Sequence, residues 1–309
     1  MKLNQRDHGG GLDAAIARWG GTRDSWLDLS TGINPVPYPV GALPDDAWTA
    51  LPDEAAQNRL DMAARRFWSV PDDAALLAAP GASALIAKIP SLWPRGKVRI
   101  DAPTYNEHAA AFDIAGWTQG TGDAMVVVHP NNPDGRFWVK SNLTAPFTLI
   151  DESFCDIAPN QSLIALSSDP GRIVLKSFGK FWGLAGLRLG FAIGPTDLIN
   201  ALRDQLGPWP VSGPALEIGA RALEDLAWAH ETRVRLAQDA QRLDRLMTRH
   251  GTLVGGTDLF RLYDVKDASA FQNRLAQARI WSRIFPYSDR WIRLGLPSSK
   301  GWSQLEAAL

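Results

Sequence analysis

The chain has 309 residues, 45% apolar and 21% charged, with a formal net charge of −1. Such a length can bury one large core or two modest ones, and the composition excludes an intrinsically disordered chain. A charge this close to zero gives no electrostatic reason to expect a nucleic acid or an anionic membrane as partner.

In chain order, the first eleven residues lack the apolar core of a secretory signal. The most apolar run, Ala74 to Pro90, is broken by Pro80, Gly81 and Lys88, so it is not expected to span a bilayer. The single cysteine, Cys155, leaves no intramolecular disulfide and suits a reducing compartment. The expected location is the cytoplasm.

Leu76 to Ala79 reads as a strand, Pro80-Gly81 as a turn, and Ala82 to Lys88 as a helix. Val98 to Ile100 leads through Pro103-Thr-Tyr into an Ala-rich helix. Met125 to Val128 ends at the turn His129-Pro-Asn-Asn-Pro-Asp-Gly135. Phe147 to Ile150 ends at Asp151, Ile173 to Leu175 at Lys176-Ser177, and Leu189 to Ile193 at Gly194-Pro195. Short, nearly unbroken apolar strands with helical spacers predict an α/β fold whose sheet is buried on both faces. In such sheets ligands lie beyond the carboxyl ends of the strands, where the polar residues singled out below fall. From Pro214 to about His250 the chain is helix-forming and free of proline. Strands at Leu259 to Tyr263 and Trp291 to Leu294, with a helix from about Ala268 to Arg279, suggest a smaller α+β unit. The expected domains are residues 1–39 as an N-terminal arm joining the small domain, 40–209 as the large domain and 210–309 as the small C-terminal domain. The break falls near Gly207 to Pro214.

The segment Val174 to Phe191 carries the chemistry. It sets a hydroxyl (Ser177), an amine (Lys180) and a guanidinium (Arg188) among Phe, Trp, Leu and Gly. An amine that condenses with an aldehyde beside a bound phosphate needs this inventory. Nucleophilic attack requires a neutral amine, which desolvation and a nearby positive charge favour. Asp151 ends an apolar strand, where a carboxylate costs several kcal/mol unless it meets a positive partner; capping the next helix is the alternative. Gly81-Ala82-Ser83 opens a helix, whose first N–H groups suit an anion. Asn132 sits among ordinary turn formers. Tyr105 is either a core tyrosine or a ring that stacks on a ligand. His108 is either a surface histidine or a partner of Asp151. Arg283 and Arg293 have the fork geometry that binds carboxylates, and each is alternatively a solvated arginine.

The spacing of Ser177 three residues before Lys180, with Arg188 eight after it, resembles the lysine signature of fold-type I pyridoxal-phosphate (PLP) enzymes, the aspartate aminotransferase superfamily. That resemblance implies a large domain with a mostly parallel seven-stranded sheet between helices, a small α+β domain, and a homodimer. It implies PLP as cofactor, with no metal. Lys180 would be the Schiff-base lysine and Asp151 the partner of the ring nitrogen. Tyr105 would stack on the ring and Asn132 would donate to its phenolic oxygen. Ala82, Ser83, Ser177 and Arg188 would hold the cofactor phosphate. Phe154 departs from the tyrosine many aminotransferases carry there.

His8-Gly-Gly10 and Leu27-Asp-Leu-Ser-Thr-Gly-Ile-Asn-Pro35 are similar to the opening of the threonine-phosphate decarboxylases of cobalamin biosynthesis, as is Phe154. Thr31-Gly32 replaces their Ala-Asn. The implied reaction is decarboxylation of L-threonine O-3-phosphate to (R)-1-amino-2-propanol O-2-phosphate. This small phosphorylated amino acid would be bound by His8, Gly9, Gly32, Asn132, Arg283 and Arg293. A histidinol-phosphate-type aminotransferase is the alternative enzyme, and a binding protein that kept the fold is a third reading.

Overall fold

The computed structural model describes residues 8–309; the first seven residues of the expected N-terminal arm lie outside them. By internal contacts the chain divides into two compact units. The sheet unit comprises Pro37–Asn132 and Arg136–His230, and the second unit comprises the residues up to Val36, Pro133–Gly135 and Glu231–Leu309.

Seven strands form the main sheet: β1 (Ala75–Ala79), β2 (Lys97–Ile100), β3 (Thr118–Gln119), β4 (Ala124–Val128), β5 (Phe147–Asp151), β6 (Arg172–Ser177) and β7 (Gly190–Gly194). Their order is β1-β7-β6-β5-β4-β2-β3. Only β7 runs against its neighbours, β1 and β6; every other pair is parallel. This is the α/β sheet expected from the residue pattern, and the mostly parallel seven-stranded one that the resemblance implied. β4 and β7 are buried end to end, which is why they read as unbroken apolar runs. β3 is two exposed polar residues and has no such signal.

The helices Ala82–Lys88, Asn106–Ile114 and Thr196–Leu206 supply Leu85, Phe112 and Leu202 to a core that also holds Leu149 of β5 and Leu175 of β6. A second packing group is aromatic. Phe178 and Trp182 stack at 5.2 Å, Trp182 and Trp228 at 5.3 Å, and Tyr38 meets both indoles edge-on. The glycine-rich segment after β6 is therefore held by its own aromatic residues.

The helix-forming stretch after Pro214 is two helices, Gly213–Glu224 and Leu226–Met247, rather than one. Asp225 interrupts it because its carboxylate accepts from the N–H of Trp228 at 3.0 Å, capping the second helix. Residues 210–230 group with the sheet unit. Arg59 of helix Glu54–Trp68 donates to Glu217 and Glu224, and Gly219 lies where a Cβ would stand 2.5 Å from Leu189 Cδ2 and 2.9 Å from Leu60 Cδ1.

The second unit is built on a four-stranded antiparallel sheet: β8 (Gly251–Thr257), β9 (Phe260–Val265), β10 (Arg283–Phe285) and β11 (Ser288–Gly295), in the order β10-β11-β9-β8. A short parallel pair joins Leu27–Asp28 to Ile280–Trp281. Pro133–Gly135 belongs here because Gly256 N–H donates to Asp134 O at 2.8 Å. Gly135 has φ +74°, and a Cβ on it would stand 1.9 Å from Gly256 O, so only glycine fits. No helix among the described residues is long and apolar enough to cross a membrane.

Candidate active site

Beyond the carboxyl ends of the parallel strands, the sheet unit has a concave pocket enclosing about 600 Å³ out to its open mouth. Its walls include every cofactor-side residue singled out from the sequence: Ala82, Ser83, Tyr105, Asn132, Asp151, Ser177, Lys180 and Arg188. Topology explains the gathering. β1, β6, β5, β4 and β2 run in the same direction, with antiparallel β7 between the first two, and each chain segment leaving them contributes one or more of these groups.

Asp151 ends β5 and is 2% exposed. His108 Nε2 lies 2.8 Å from Oδ2, which makes His108 the partner of Asp151 rather than a surface histidine. Oδ1 accepts from Ser153 N–H at 3.0 Å and from Ser153 Oγ at 2.5 Å. Burial alone pushes this carboxyl up, but the His108 hydrogen bond and charge, with both Ser153 bonds, outweigh it and hold the group below the usual carboxylate range. Asp151 is thus kept as a buried anion directed at the pocket.

Lys180 lies three residues beyond the end of β6, with Nζ 5.2 Å from the centre of the Phe154 ring. Ser177 Oγ accepts from Gly179 N–H at 3.2 Å, which shapes the turn that carries Lys180. Arg188 adopts a left-handed conformation (φ +55°), and its Nη1 donates to Ala185 O at 3.0 Å. A Cβ on Gly81 (φ +82°) would stand 2.5 Å from Arg188 Nη2, and one on Gly190 would stand 2.4 Å from Ala82 N. These two glycines let a guanidinium, a strand and the start of the Ala82–Lys88 helix come together. Tyr105 precedes helix Asn106–Ile114 and meets the His108 ring edge-on at 5.9 Å. Asn132 follows Asn131, which is fixed by Thr104 Oγ1 at 2.6 Å and by its own bond to Pro103 O at 3.0 Å.

A family model described as aminotransferase class I and II matches residues 118–301. A threonine-phosphate decarboxylase from Pseudomonas aeruginosa is 40% identical, over 98% of this chain and 97% of the relative. The chain belongs to the class I and II aminotransferase family. Solved members share the fold. A histidinol-phosphate aminotransferase from Sinorhizobium meliloti, in complex with pyridoxal-5'-phosphate, superposes with a TM-score of 0.82 at 19% identity, over 97% of this chain and 93% of its own. An L-threonine-O-3-phosphate decarboxylase from Porphyromonas gingivalis gives 0.72 at 18%, over 91% and 97%.

The cofactor of this aminotransferase family is PLP. The pocket's donor set fits it: an amine, a buried carboxylate held ionised, and helix-start N–H groups beside a hydroxyl and a guanidinium for a phosphate.

Of the residues expected to hold substrate, Asn132 lies in the sheet unit and His8, Gly9, Gly32, Arg283 and Arg293 belong to the second unit. β10 and β11 set Arg283 opposite Arg293. Arg283 Nη1 donates to His8 O at 2.7 Å, and Arg293, 5% exposed, donates from Nη2 to Ser30 O at 2.8 Å. A Cβ on Gly9 would stand 2.3 Å from Ser30 O, and Gly32 is buried two residues further along. Burial, then the Arg283 charge, pushes the Arg293 guanidinium down to about 10.

Facing away from the pocket, Glu152 does not reach solvent. Lys176 Nζ lies 2.5 Å from Glu152 Oε2 and 3.8 Å from Asp156 Oδ1, all three groups buried. The indole N–H groups of Trp68 and Trp182 complete Asp156 at 2.8 and 3.0 Å. His129, Glu152 and Cys155 offer close ligand atoms, but those of His129 and Glu152 are already engaged: Trp138 N–H donates to His129 Nδ1, His129 Nε2 lies 2.7 Å from Gln161 O, and Glu152 holds Lys176. Sequence reasoning missed Ser153. The signal that could have found it is the Asp-x-Ser spacing, in which a hydroxyl two residues on can reach back to the carboxylate.

Proposed function

We propose that the protein is a PLP-dependent carboxy-lyase that converts L-threonine O-3-phosphate to (R)-1-amino-2-propanol O-2-phosphate and CO2, a step in cobalamin biosynthesis. One observation carries this reading: 40% identity to a threonine-phosphate decarboxylase along nearly the whole of both chains. The pocket's groups support the cofactor part of it.

Bound PLP supplies an electron sink for the pair released from a bond at the substrate's Cα. Lys180 would hold the cofactor through Nζ. Asp151 would keep a proton on its ring nitrogen, Tyr105 would lie against the ring, and Asn132 would donate to the phenolic oxygen. The N–H groups of Ala82 and Ser83, with Ser177 Oγ and Arg188, would hold its phosphate. Arg293, Arg283 and Asn132 would bind the substrate carboxylate, and His8 with the backbone of Gly9 and Gly32 would bind the substrate phosphate. Orientation decides the outcome: the carboxylate must be the group set perpendicular to the ring for CO2 to leave. Lys180 Nζ would then deliver the proton that replaces it at Cα. Phe154 offers no hydroxyl to the phenolic oxygen, unlike a tyrosine. The active form on this reading is a cytoplasmic homodimer, which light scattering on the eluted protein tests.

The deciding experiment incubates the purified protein with PLP and threonine phosphate, with no 2-oxo acid. Release of CO2 with formation of the amino-alcohol phosphate supports the reading. Turnover that requires 2-oxoglutarate would replace it with a histidinol-phosphate-type aminotransferase.

A further inference from the structure

Ser153 makes one contact more than its local fold requires. Its backbone N–H alone, 3.0 Å from Asp151 Oδ1, closes the turn after β5. Its hydroxyl adds a second bond to the same oxygen at 2.5 Å, and that is its only hydrogen bond among the described residues. Ser153 is 8% exposed and stands in the pocket wall beside Lys180. An alanine there would keep the turn and leave the carboxylate one donor short.

The acceptor count gives the hydroxyl a consequence. A carboxylate offers about four lone-pair sites, two on each oxygen. Ser153 N–H and Oγ take both on Oδ1, and His108 takes one on Oδ2. One site remains, on Oδ2. We propose that Ser153 is a positioning residue: its hydroxyl fixes Oδ1 and fills it, so that Asp151 meets the cofactor's ring nitrogen as an ionised acceptor through Oδ2. This rests on the PLP reading but not on which reaction follows. The other titratable groups around Asp151 are His108, from helix Asn106–Ile114, and the pocket residues Tyr105, Lys180 and Arg188.

The test compares Ser153→Ala and Ser153→Thr with the parent. The Asp151 carboxyl is titrated by carbon NMR in PLP-free protein, assigned by its loss in Asp151→Asn, and PLP affinity is measured by fluorescence quenching. The expected result is an upward-shifted titration and about tenfold weaker PLP binding in S153A, the size of one charge-assisted hydrogen bond. S153T, which keeps the hydroxyl, should restore both. An S153A protein of parental thermal stability with unmoved titration and affinity overturns the proposal. Should S153A not fold, S153C, with its weaker donor, decides: a titration raised above the parent's supports the role and a parental one ends it. A parent protein that binds no PLP would instead sink the cofactor reading itself, while the carboxyl titration would still be readable.

Discussion

Asp151 and Glu152 are neighbours at the end of β5, and Lys176 lies on β6 four residues before Lys180, so the ends of two adjacent strands supply both carboxylates and both lysines. On the pocket face, Asp151 is surrounded by donors that leave it an anion with an acceptor site to spare. On the other face, Glu152 takes as many donors, Lys176 Nζ, Ser162 Oγ at 2.6 Å and Leu163 N–H, but one of them is a buried ammonium that neutralises it. Both carboxylates are buried and both are hydrogen-bonded. What separates a group that can act on a ligand from one that holds the fold is where it faces and what it is paired with: Asp151 lines the pocket, whereas Glu152 does not and is spent on a lysine. Burial does not separate them.

The largest effect expected from breaking this contrast is at Lys180. Lys180→Ala should lose activity by at least about 1,000-fold while melting close to the parent, since its amine serves the pocket and not the core. Borohydride reduction of the PLP-loaded parent followed by peptide mapping should label position 180. A label at Lys176 would invert the comparison.

The two carboxylates should fail in different ways. Glu152→Gln strands the buried ammonium of Lys176, leaving Asp156 at 3.8 Å as its remaining anion, and should cost about 3–5 kcal/mol in urea unfolding. Asp151→Asn should lower the rate on the order of 100-fold, through loss of a preorganised charge, with a smaller stability cost of about 1–3 kcal/mol. Equal stability losses for the two variants would show that Asp151 is as structural as its neighbour.

Replacing both ends of the ion pair sharpens the point. In Glu152→Gln with Lys176→Met, no ammonium is left buried without its partner, so most of the single-variant loss should return, to within about 2 kcal/mol of the parent. Activity should stay within about tenfold, because neither side chain lines the pocket.

The sequence was most legible where chemistry constrains spacing. Lys180, Ser177 and Arg188 lie on one continuous segment, and β4 to β7 are apolar because both of their faces are covered. Asp151 was visible as a charge at the end of an apolar run. Glu152 was legible only as a charge destined for solvent or a salt bridge; its partner was not, because Lys176 sits twenty-four residues away on another strand and only β5–β6 pairing joins them. The helix break at Asp225 was hidden because an aspartate reads equally well as a surface residue and as a cap. β8 was hidden by its exposed and glycine-rich pattern, whose packing partner includes a turn more than a hundred residues earlier.

The smallest effect is in the pH dependence of stability, and it separates the two faces by sign. Asp151 has a folded value held below the ordinary 3.8, so the unfolded chain binds its proton first as pH falls. Its contribution is complete above 3.8 and is lost as acidification passes through the lower folded value. Burial pushes Lys176 down, but the charges of Glu152 and Asp156 outweigh it and raise the group above its ordinary 10.5. That contribution is complete below 10.5 and is lost as pH climbs through the raised folded value. Urea unfolding of the PLP-free parent and of Asp151→Asn should therefore converge on the acid side of 3.8, where the parent loses that advantage. The parent and the Glu152→Gln, Lys176→Met double variant should draw together only on the alkaline side of 10.5. Convergence of both pairs at the same end of the scale would mean that the two networks are one coupled unit rather than two faces with separate work.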